Sequence, residues 1–272
     1  MPAKNVTLTA KWSPMEYGVS YNYTGTTPDG IREVPETKEH SYGSEVKVDQ
    51  TYEKGATVED ARGLWTFSGW STEDAKVADG KFKMPAKNVS FTGSWELTDP
   101  AEYGVSYNYA GTTPDGIEGA PTTEEYSYGS EVEVDQTYEK GATITDARGL
   151  WTFSGWSTEN AEVADGKFKM PANEVSFTGS WELTDPAEYK VSYSYTGTTP
   201  DNIAEAPATE EKSYGESVTV STVYKTGDTV TDARGLWTFS GWSTKDAEVA
   251  DGTFEMPAKN VSFTGSWELT DP

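Results

Sequence analysis

Alternating apolar and small polar residues predict β-strands along most of the chain. Every second residue is apolar in YGVSYNYT at 17–24 and VSFTGSW at 89–95, and VTLTAKW at 6–12 has the same pattern. A period of two residues is typical of a strand with one buried face. A shorter strand is predicted at 46–48, and the aromatic-rich stretch 64–70 is predicted to be a further strand covered on both faces.

Turn-forming residues separate these predicted strands. TTPDG at 26–30 carries the Pro and Gly that a chain reversal needs. Asp79 and Gly80 are a tight hairpin signal. EDARG at 59–63 is predicted to be a polar turn in which Asp60 and Arg62 cap the chain or pair with each other.

The sequence leaves room for at most a short helical segment. Ile31 and Val34 lie three residues apart, which permits one helical turn, and Pro35 prevents its extension. With strands predicted on both sides of this segment, we expect a mainly β fold of the β-rich α+β class.

A long internal repeat organises the chain. The decapeptide GLWTFSGWST occurs three times, and its second tryptophan is Trp70, Trp156 and Trp242, which are spaced by 86 residues. A related block that begins with Met-Pro-Ala and ends in Trp follows each copy. Self-similarity at a fixed period indicates a tandem array of structural modules.

The junction sequence ELTDPAE is predicted to be a short linker that limits the swing between modules. The predicted organisation is an orphan closing strand and junction (1–16), module 1 (17–98), linker (99–102), module 2 (103–184), linker (185–188), module 3 (189–270) and the start of a further linker (271–272). In this phase the strand at 6–12 lacks a partner in its own module, so it is frayed or docked on a neighbouring molecule. An alternative phase begins at Met1 and orphans 256–272.

Aromatic residues supply the predicted core. The chain has 16 Tyr, 10 Trp and 9 Phe, and aromatic side chains suit a pleated, half-buried surface. A fully buried Trp contributes up to ~5 kcal/mol. Gly69 is expected to allow close packing beside these rings. The predicted core residues are Trp65, Phe67, Trp70, Trp95, Trp151, Phe153, Trp156, Trp181, Trp237, Phe239, Trp242 and Trp267.

The charge balance excludes some partners. The chain has 45 acidic and 21 basic residues and a formal net charge of −24. Such a surface repels phosphate backbones and anionic lipid, so neither nucleic acid nor a membrane surface is an expected partner. The chain has no cysteine, which excludes disulfides and thiolate metal sites.

No catalytic, cofactor or metal site is predicted. His40 is the only histidine, and Tyr126 and Lys212 stand at its place in the other two copies. An intramolecular Lys–Asn isopeptide bond needs a Lys at one fixed position, yet Thr253 and Glu255 replace the lysines 81 and 83 of the first copy. Weak calcium binding by acidic residues is a lesser alternative. The chain is therefore not expected to be an enzyme.

The blocks WTFSGW and MPAKNVTLTAKW resemble the Listeria–Bacteroides, or internalin B-type, repeat. The opening YGVSYNYTG and the long period are similar to SHIRT-type repeats of streptococcal surface proteins. The resemblance implies small β-rich modules, β-grasp-like in the first family, that stand in surface proteins and adhesins of Gram-positive bacteria. It also implies an extracellular location.

Two functions follow from the repeat and the resemblance. The first is a structural stalk that projects an adhesive head domain absent from this chain. Three modules stacked end to end through parallel first and last strands would form a rod on the order of 100 Å long. The alternative is an adhesion module that binds glycan or protein through exposed Tyr and Trp. The expected partners are neighbouring repeats and, through absent domains, a surface ligand; the chain is expected to be monomeric.

Overall fold

The computed structural model describes residues 7–272, and all regular secondary structure in this range is β. It contains 21 strands, and no helix occurs between residues 7 and 272. The stretch from Ile31 to Val34, where the sequence permits a helical turn, is an irregular loop. Within the same range there is accordingly no helix long and apolar enough to span a bilayer.

Each module contributes seven strands in the same order. Module 1 contains β1 (Glu16–Thr24), β2 (Lys38–Ser41), β3 (Glu45–Lys47), β4 (Thr57–Asp60), β5 (Gly63–Phe67), β6 (Lys81–Lys83) and β7 (Val89–Pro100). Module 2 contains β8 (Glu102–Ala110), β9 (Glu124–Ser127), β10 (Glu131–Glu133), β11 (Thr143–Asp146), β12 (Gly149–Phe153), β13 (Lys167–Lys169) and β14 (Val175–Pro186). Module 3 contains β15 (Glu188–Thr196), β16 (Glu210–Ser213), β17 (Ser217–Thr219), β18 (Thr229–Asp232), β19 (Gly235–Ser243), β20 (Thr253–Glu255) and β21 (Val261–Asp271).

Five strands of each module form one sheet. The order in module 1 is β2-β1-β7-β5-β4, and modules 2 and 3 repeat it as β9-β8-β14-β12-β11 and β16-β15-β21-β19-β18. In module 1 the first and last strands, β1 and β7, pair in parallel, and the other neighbours are antiparallel. The start of β1 and the end of β7 therefore lie at opposite ends of this sheet. The remaining strands form two-stranded ribbons, β3-β6, β10-β13 and β17-β20.

The chain divides into two compact units that do not coincide with the modules. One unit continues to Val105 and includes Thr123–Glu133 and Glu159–Val175. The other consists of Ser106–Thr122, Val134–Thr158 and Ser176–Pro272. The first module and the junction that follows it lie in the first unit, and the second junction and the third module lie in the second.

The buried face of the first sheet carries two groups of side chains. One group, at the end covered by the β3-β6 ribbon, consists of Val19, Tyr21, Val46, Phe82, Met84, Val89 and Phe91. The other consists of Trp65, Phe67 and Trp95. Trp70 packs against both groups and joins them into one core. Gly93 makes room for this arrangement, because a Cβ there would lie 2.6 Å from the Phe67 ring and 2.9 Å from Trp70.

The alternating N-terminal segment, predicted to lack a partner in its own module, forms no strand within the described residues. Residues 7–12 form no strand, and Leu8 and Trp12 are each 91% exposed. Val6, which would begin the predicted strand, lies outside the described residues. A strand needs a partner for its backbone N–H and C=O groups, and alternation alone does not provide one.

Two other predicted features have different boundaries. Glu59 and Asp60 belong to β4, so the turn predicted over 59–63 contains only Ala61 and Arg62. Asp99 and Pro100, predicted to be linker residues, continue β7 and pair with Leu64 and Gly63 of β5.

Candidate functional site

A polar cluster occupies the tight turn between β4 and β5. Asp60 and Gly63 face each other across the ladder, and Ala61 and Arg62 form the turn between them. The members of this end cluster are Asp60, Arg62 and Trp65, and the other two copies are Asp146, Arg148 and Trp151, and Asp232, Arg234 and Trp237.

The Asp60 carboxylate is the centre of the end cluster, and its side chain is only 5% exposed. Its Oδ1 accepts hydrogen bonds from the Arg62 backbone N–H at 2.8 Å and from the Trp65 indole Nε1 at 3.0 Å. Its Oδ2 accepts from the Arg62 Nε at 3.0 Å and the Asp29 backbone N–H at 2.9 Å, and also from the Arg62 Nη2. One carboxylate therefore connects the turn, the 26–30 loop and a core indole.

Arg62 holds the cluster together from the other side. Its Nη2 donates to the Thr27 carbonyl oxygen at 2.9 Å and lies 3.3 Å from an Asp29 carboxylate oxygen. Its guanidinium carbon lies 4.8 Å from the centroid of the Trp65 ring, in the range of a cation–π contact. The planar guanidinium thus meets a carboxylate, a carbonyl and an aromatic face at once, using a rigid fork of donors that a lysine ammonium lacks.

The hydrogen bonds decide the charge state of Asp60. Burial alone would raise the pKa of the Asp60 carboxyl, but the donors from Arg62, Asp29 and Trp65 outweigh burial and hold this pKa well below its ordinary range. Asp146 and Asp232 have depressed pKa values for the same reasons. The cluster is therefore a structural ion pair, ionised at any ordinary pH.

The first junction adds contacts to the backbone of this turn. The Ala101 N–H donates to the Arg62 carbonyl oxygen at 2.9 Å, and the Tyr103 hydroxyl donates to the Ala61 carbonyl oxygen. The Tyr128 N–H in turn donates to the Ala101 carbonyl oxygen at 2.7 Å. Each carbonyl of the turn thus receives a donor from the chain that follows β7.

The second junction repeats these bonds. The Ala187 N–H donates to the Arg148 carbonyl at 2.9 Å, the Tyr189 hydroxyl to the Ala147 carbonyl, and the Tyr214 N–H to the Ala187 carbonyl at 2.8 Å. The same bonds therefore form at both junctions.

Gly63 is required at the turn by both its conformation and its neighbours. Its φ is +127°, and a Cβ there would lie 2.2 Å from the Asp99 carbonyl oxygen and 2.6 Å from the Ala101 nitrogen. Both neighbours are backbone atoms, so a side chain could not be accommodated by a rotamer change.

The family assignment follows from the repeated modules. The SHIRT domain matches residues 15–98, 101–184 and 187–270, which together make up most of the chain. The chain belongs to the SHIRT domain family. Its mainly β fold in three tandem modules agrees with the sequence prediction.

One relative and one solved structure are similar to this chain. A protein of Evansella cellulosilytica named "Putative membrane protein" is 25% identical over 277 residues, which cover 97% of this chain and 35% of the relative. The chain therefore spans about a third of that relative's length. The solved structure of "Streptococcal High Identity Repeats in Tandem (SHIRT) domains 3-4 from cell surface protein" is 19% identical, covers 63% of this chain and 99% of its own, and has a TM-score of 0.29.

The matched ranges begin at residues whose carbonyl oxygens accept a backbone N–H from their own module. Each SHIRT module starts two residues earlier than the predicted module, at Met15, Ala101 and Ala187. The Met15 carbonyl accepts the Tyr42 N–H at 2.8 Å, as the Ala101 carbonyl accepts that of Tyr128. Ala101 and Ala187 bond to the modules on both sides, since their N–H groups donate to Arg62 and Arg148 of the preceding module.

The predicted core residues fall into two groups in the SHIRT modules. Trp65, Trp151, Trp237, Trp95, Trp181 and Trp267 are 5% exposed, and Phe67, Phe153 and Phe239 are 1% exposed. Trp70, Trp156 and Trp242 are only partly buried. The Nε1 of Trp65 is bonded to Asp60, whereas the buried Nε1 of Trp70 has no partner among the described residues.

The sequence alone did not reveal the full end cluster or the junction contact beside it. It indicated an Asp60–Arg62 pair, but not the indole of Trp65 or the hydroxyl of Tyr103. The available signal was the invariance of Asp-Ala-Arg-Gly-Leu-Trp, at 60–65, in all three copies, together with a Tyr two residues after each junction alanine.

Proposed function

We propose that the chain is a structural spacer of a bacterial cell-surface protein, in which successive SHIRT modules hold a separate functional domain away from the cell. The observation that carries the proposal is the hydrogen-bonded junction. At each one the closing strand of a module continues to a proline, and the next residues bond to the turn carbonyls of the same module.

Three further observations support a spacer. The parallel pairing of β1 with β7 brings the chain into the first sheet at one end and out at the other. The net charge of −24 opposes collapse of one module onto another. The solved SHIRT domains come from a protein described as a cell surface protein, which favours the same location for this chain.

Small-angle scattering of the chain tests the proposal. A spacer of three modules should have a maximum dimension on the order of 100 Å, as expected for three small globules in line. A matched variant with Gly-Gly-Ser-Gly-Gly-Ser inserted between Pro100 and Ala101 breaks one junction and leaves every module sequence intact. The variant should show a broader distribution of pair distances and a smaller average size, because Gly/Ser linkers behave as flexible coils.

A compact globule for the unmodified chain would contradict the spacer. Scattering curves that do not differ between the chain and its insertion variant would contradict the role of the junction. Measurements at low and high salt separate the contribution of charge repulsion, since added salt screens charges beyond about 10 Å.

A further inference from the structure

A groove opens beside the partly buried Trp70, within the first compact unit. Its volume is about 540 Å³, inside the range of roughly 300–1,000 Å³ that is typical of small-molecule sites. The 48–54 loop forms one wall, and the segments around Ser71 and Val77 form the other. This groove is separate from the end cluster, since none of the end-cluster residues lines it.

The groove has an apolar base and a polar rim. Trp70, Tyr52 and Val48 are partly buried and supply aromatic and aliphatic surface. Glu53 and Lys54 on the rim are exposed. The rim therefore offers hydrogen-bonding groups around an aromatic surface.

Local contacts hold the rim in place. The Asp49 Oδ1 accepts the Thr51 N–H at 2.8 Å, and the Asp49 N–H donates to the buried Tyr21 hydroxyl at 3.0 Å. The stem of Lys54 lies against Gly69, where a Cβ would be 3.0 Å from the Lys54 Cβ. The 48–54 loop is thus anchored to the core, so the groove is formed without a ligand.

We propose that this groove binds a neutral saccharide. The C–H face of a pyranose ring packs on aromatic surface, and the carboxylates of Asp49 and Glu53 are strong acceptors for its hydroxyl groups. The two carboxylates and the net charge of −24 oppose an acidic sugar. This activity is independent of the spacer role, because the groove lies away from the junction residues.

The three modules supply a matched internal comparison. Module 2 repeats the groove sequence, with Asp135, Gln136, Glu139 and Lys140 and with Trp156 at the position of Trp70. Module 3 keeps Tyr224 and Trp242, but Ser221, Thr222, Lys225 and Thr226 replace the four polar rim residues. Thr226 lies close to Gly241, where its Oγ1 would be 2.2 Å from a Cβ. Module 3 therefore keeps the aromatic base and lacks both carboxylates.

The test uses the full chain with its tryptophans labelled by nitrogen-15. Lactose, maltose and N,N′-diacetylchitobiose are the neutral probes, and 3′-sialyllactose is the acidic probe. Indole signals of Trp70 and Trp156 should shift and saturate with at least one neutral probe, while those of Trp242 and the end-cluster Trp65 stay in place.

The matched variant carries the module 3 rim in modules 1 and 2. Its substitutions are D49S, Q50T, E53K, K54T, D135S, Q136T, E139K and K140T. Because module 3 folds with these residues in the same chain, the variant tests the rim and not the stability of the module. Binding of the neutral probe should weaken by at least about tenfold, the loss expected when charged hydrogen-bond acceptors are removed.

Four outcomes would overturn the proposal. The first two are no shift with any neutral probe at about 10 mM, where a site with a Kd of about 1 mM would be mostly occupied, and equal shifts at Trp242. The other two are unchanged affinity in the matched variant and tighter binding of 3′-sialyllactose than of every neutral probe. The scattering curve of the chain is unaffected by any of these results, so the spacer proposal stands or falls separately.

Discussion

The end cluster of module 1 and that of module 3 have the same residues and nearly the same internal bonds, but they differ in what covers them. The arginine side chain is 17% exposed at Arg62 and 16% at Arg148, yet 40% exposed at Arg234. Gly63 is buried, whereas Gly235 is only partly so. The turn at Arg62 receives donors from Ala101 and Tyr103, and the turn at Arg148 receives them from Ala187 and Tyr189.

This difference separates what a module makes by itself from what a neighbouring segment adds. The bonds of Asp232 to Arg234, Asp201 and Trp237 repeat those of Asp60 within a few tenths of an ångström. The cluster is therefore complete within one module. The following segment adds donors to the turn carbonyls and removes the arginine from water.

The largest effect is expected from Asp60→Ala. The substitution leaves the partly buried Arg62 without its carboxylate and the Trp65 N–H without an acceptor, so module 1 should lose about 2–4 kcal/mol of unfolding free energy. Guanidinium unfolding followed by tryptophan fluorescence should show a new transition at lower denaturant. Asp232→Ala should have a smaller effect, because the more exposed Arg234 regains water.

The control for this comparison is Asp60→Asn. It keeps the shape and the acceptor for Trp65, but it sets an NH2 group opposite the Arg62 and Asp29 donors, so Asp60→Asn should also destabilise module 1. Equal losses for Asp60→Ala and Asp232→Ala would mean that the cover over Arg62 contributes nothing to the ion pair.

A smaller effect is expected from acid. Because the folded pKa values of Asp60, Asp146 and Asp232 are depressed, these groups stabilise the fold above the ordinary Asp pKa of about 4, and this contribution is lost as pH falls from there toward the folded values. Thermal unfolding between pH 5 and pH 2.5 should show a falling midpoint. In Asp60→Asn the unfolding midpoint should fall less steeply with pH. An unchanged dependence of the midpoint on pH would contradict the assignment of the titration to the Asp60 carboxylate.

The smallest effect is expected from Tyr103→Phe. The change removes one hydroxyl donor to the Ala61 carbonyl and should cost about 1 kcal/mol. Tyr17 is the matched control, because its hydroxyl lies 3.9 Å from the Met15 sulfur and donates to no turn carbonyl among residues 7–272. Tyr17→Phe should therefore leave the denaturation midpoint unchanged, and equal midpoints for the two variants would contradict a stabilising junction bond.

The strands with strong alternation were predictable, and the edge strands were not. The alternating stretch at 17–24 is β1, that at 89–95 is in β7, and Asp79 and Gly80 form the expected two-residue turn, closed by the pair of Ala78 and Lys81. Lys38–Ser41 and Thr57–Asp60 have polar sequences without a period, and they are strands because β1 and β5 offer them an unpaired edge. Residues 7–12 show the converse, since apolar and polar residues alternate there and the segment forms no strand.

The core was easier to predict than the junction. Tryptophans that recur every 86 residues indicated the core directly, as the burial of Trp65 and Trp95 illustrates. The junction sequence Thr-Asp-Pro carries typical linker residues, yet Asp99 and Pro100 pair with β5 beyond a bulge between Leu64 and Trp65. Asp99 pairs with Leu64, which lies 35 residues earlier in the chain. The composition of the junction itself does not indicate a partner at that distance.

The distance between two equivalent surface positions tests most directly whether the junction holds successive modules in a fixed relation. Glu73 and Glu159 are both exposed and lie 86 residues apart, and the absence of cysteine allows spin labels at E73C and E159C without other changes. Pulsed electron–electron double resonance should give one narrow distribution of the distance between the two spin labels. This distribution should broaden when Gly-Gly-Ser-Gly-Gly-Ser is inserted between Pro100 and Ala101. A distribution as broad in the uninterrupted chain as in the insertion variant would contradict the spacer.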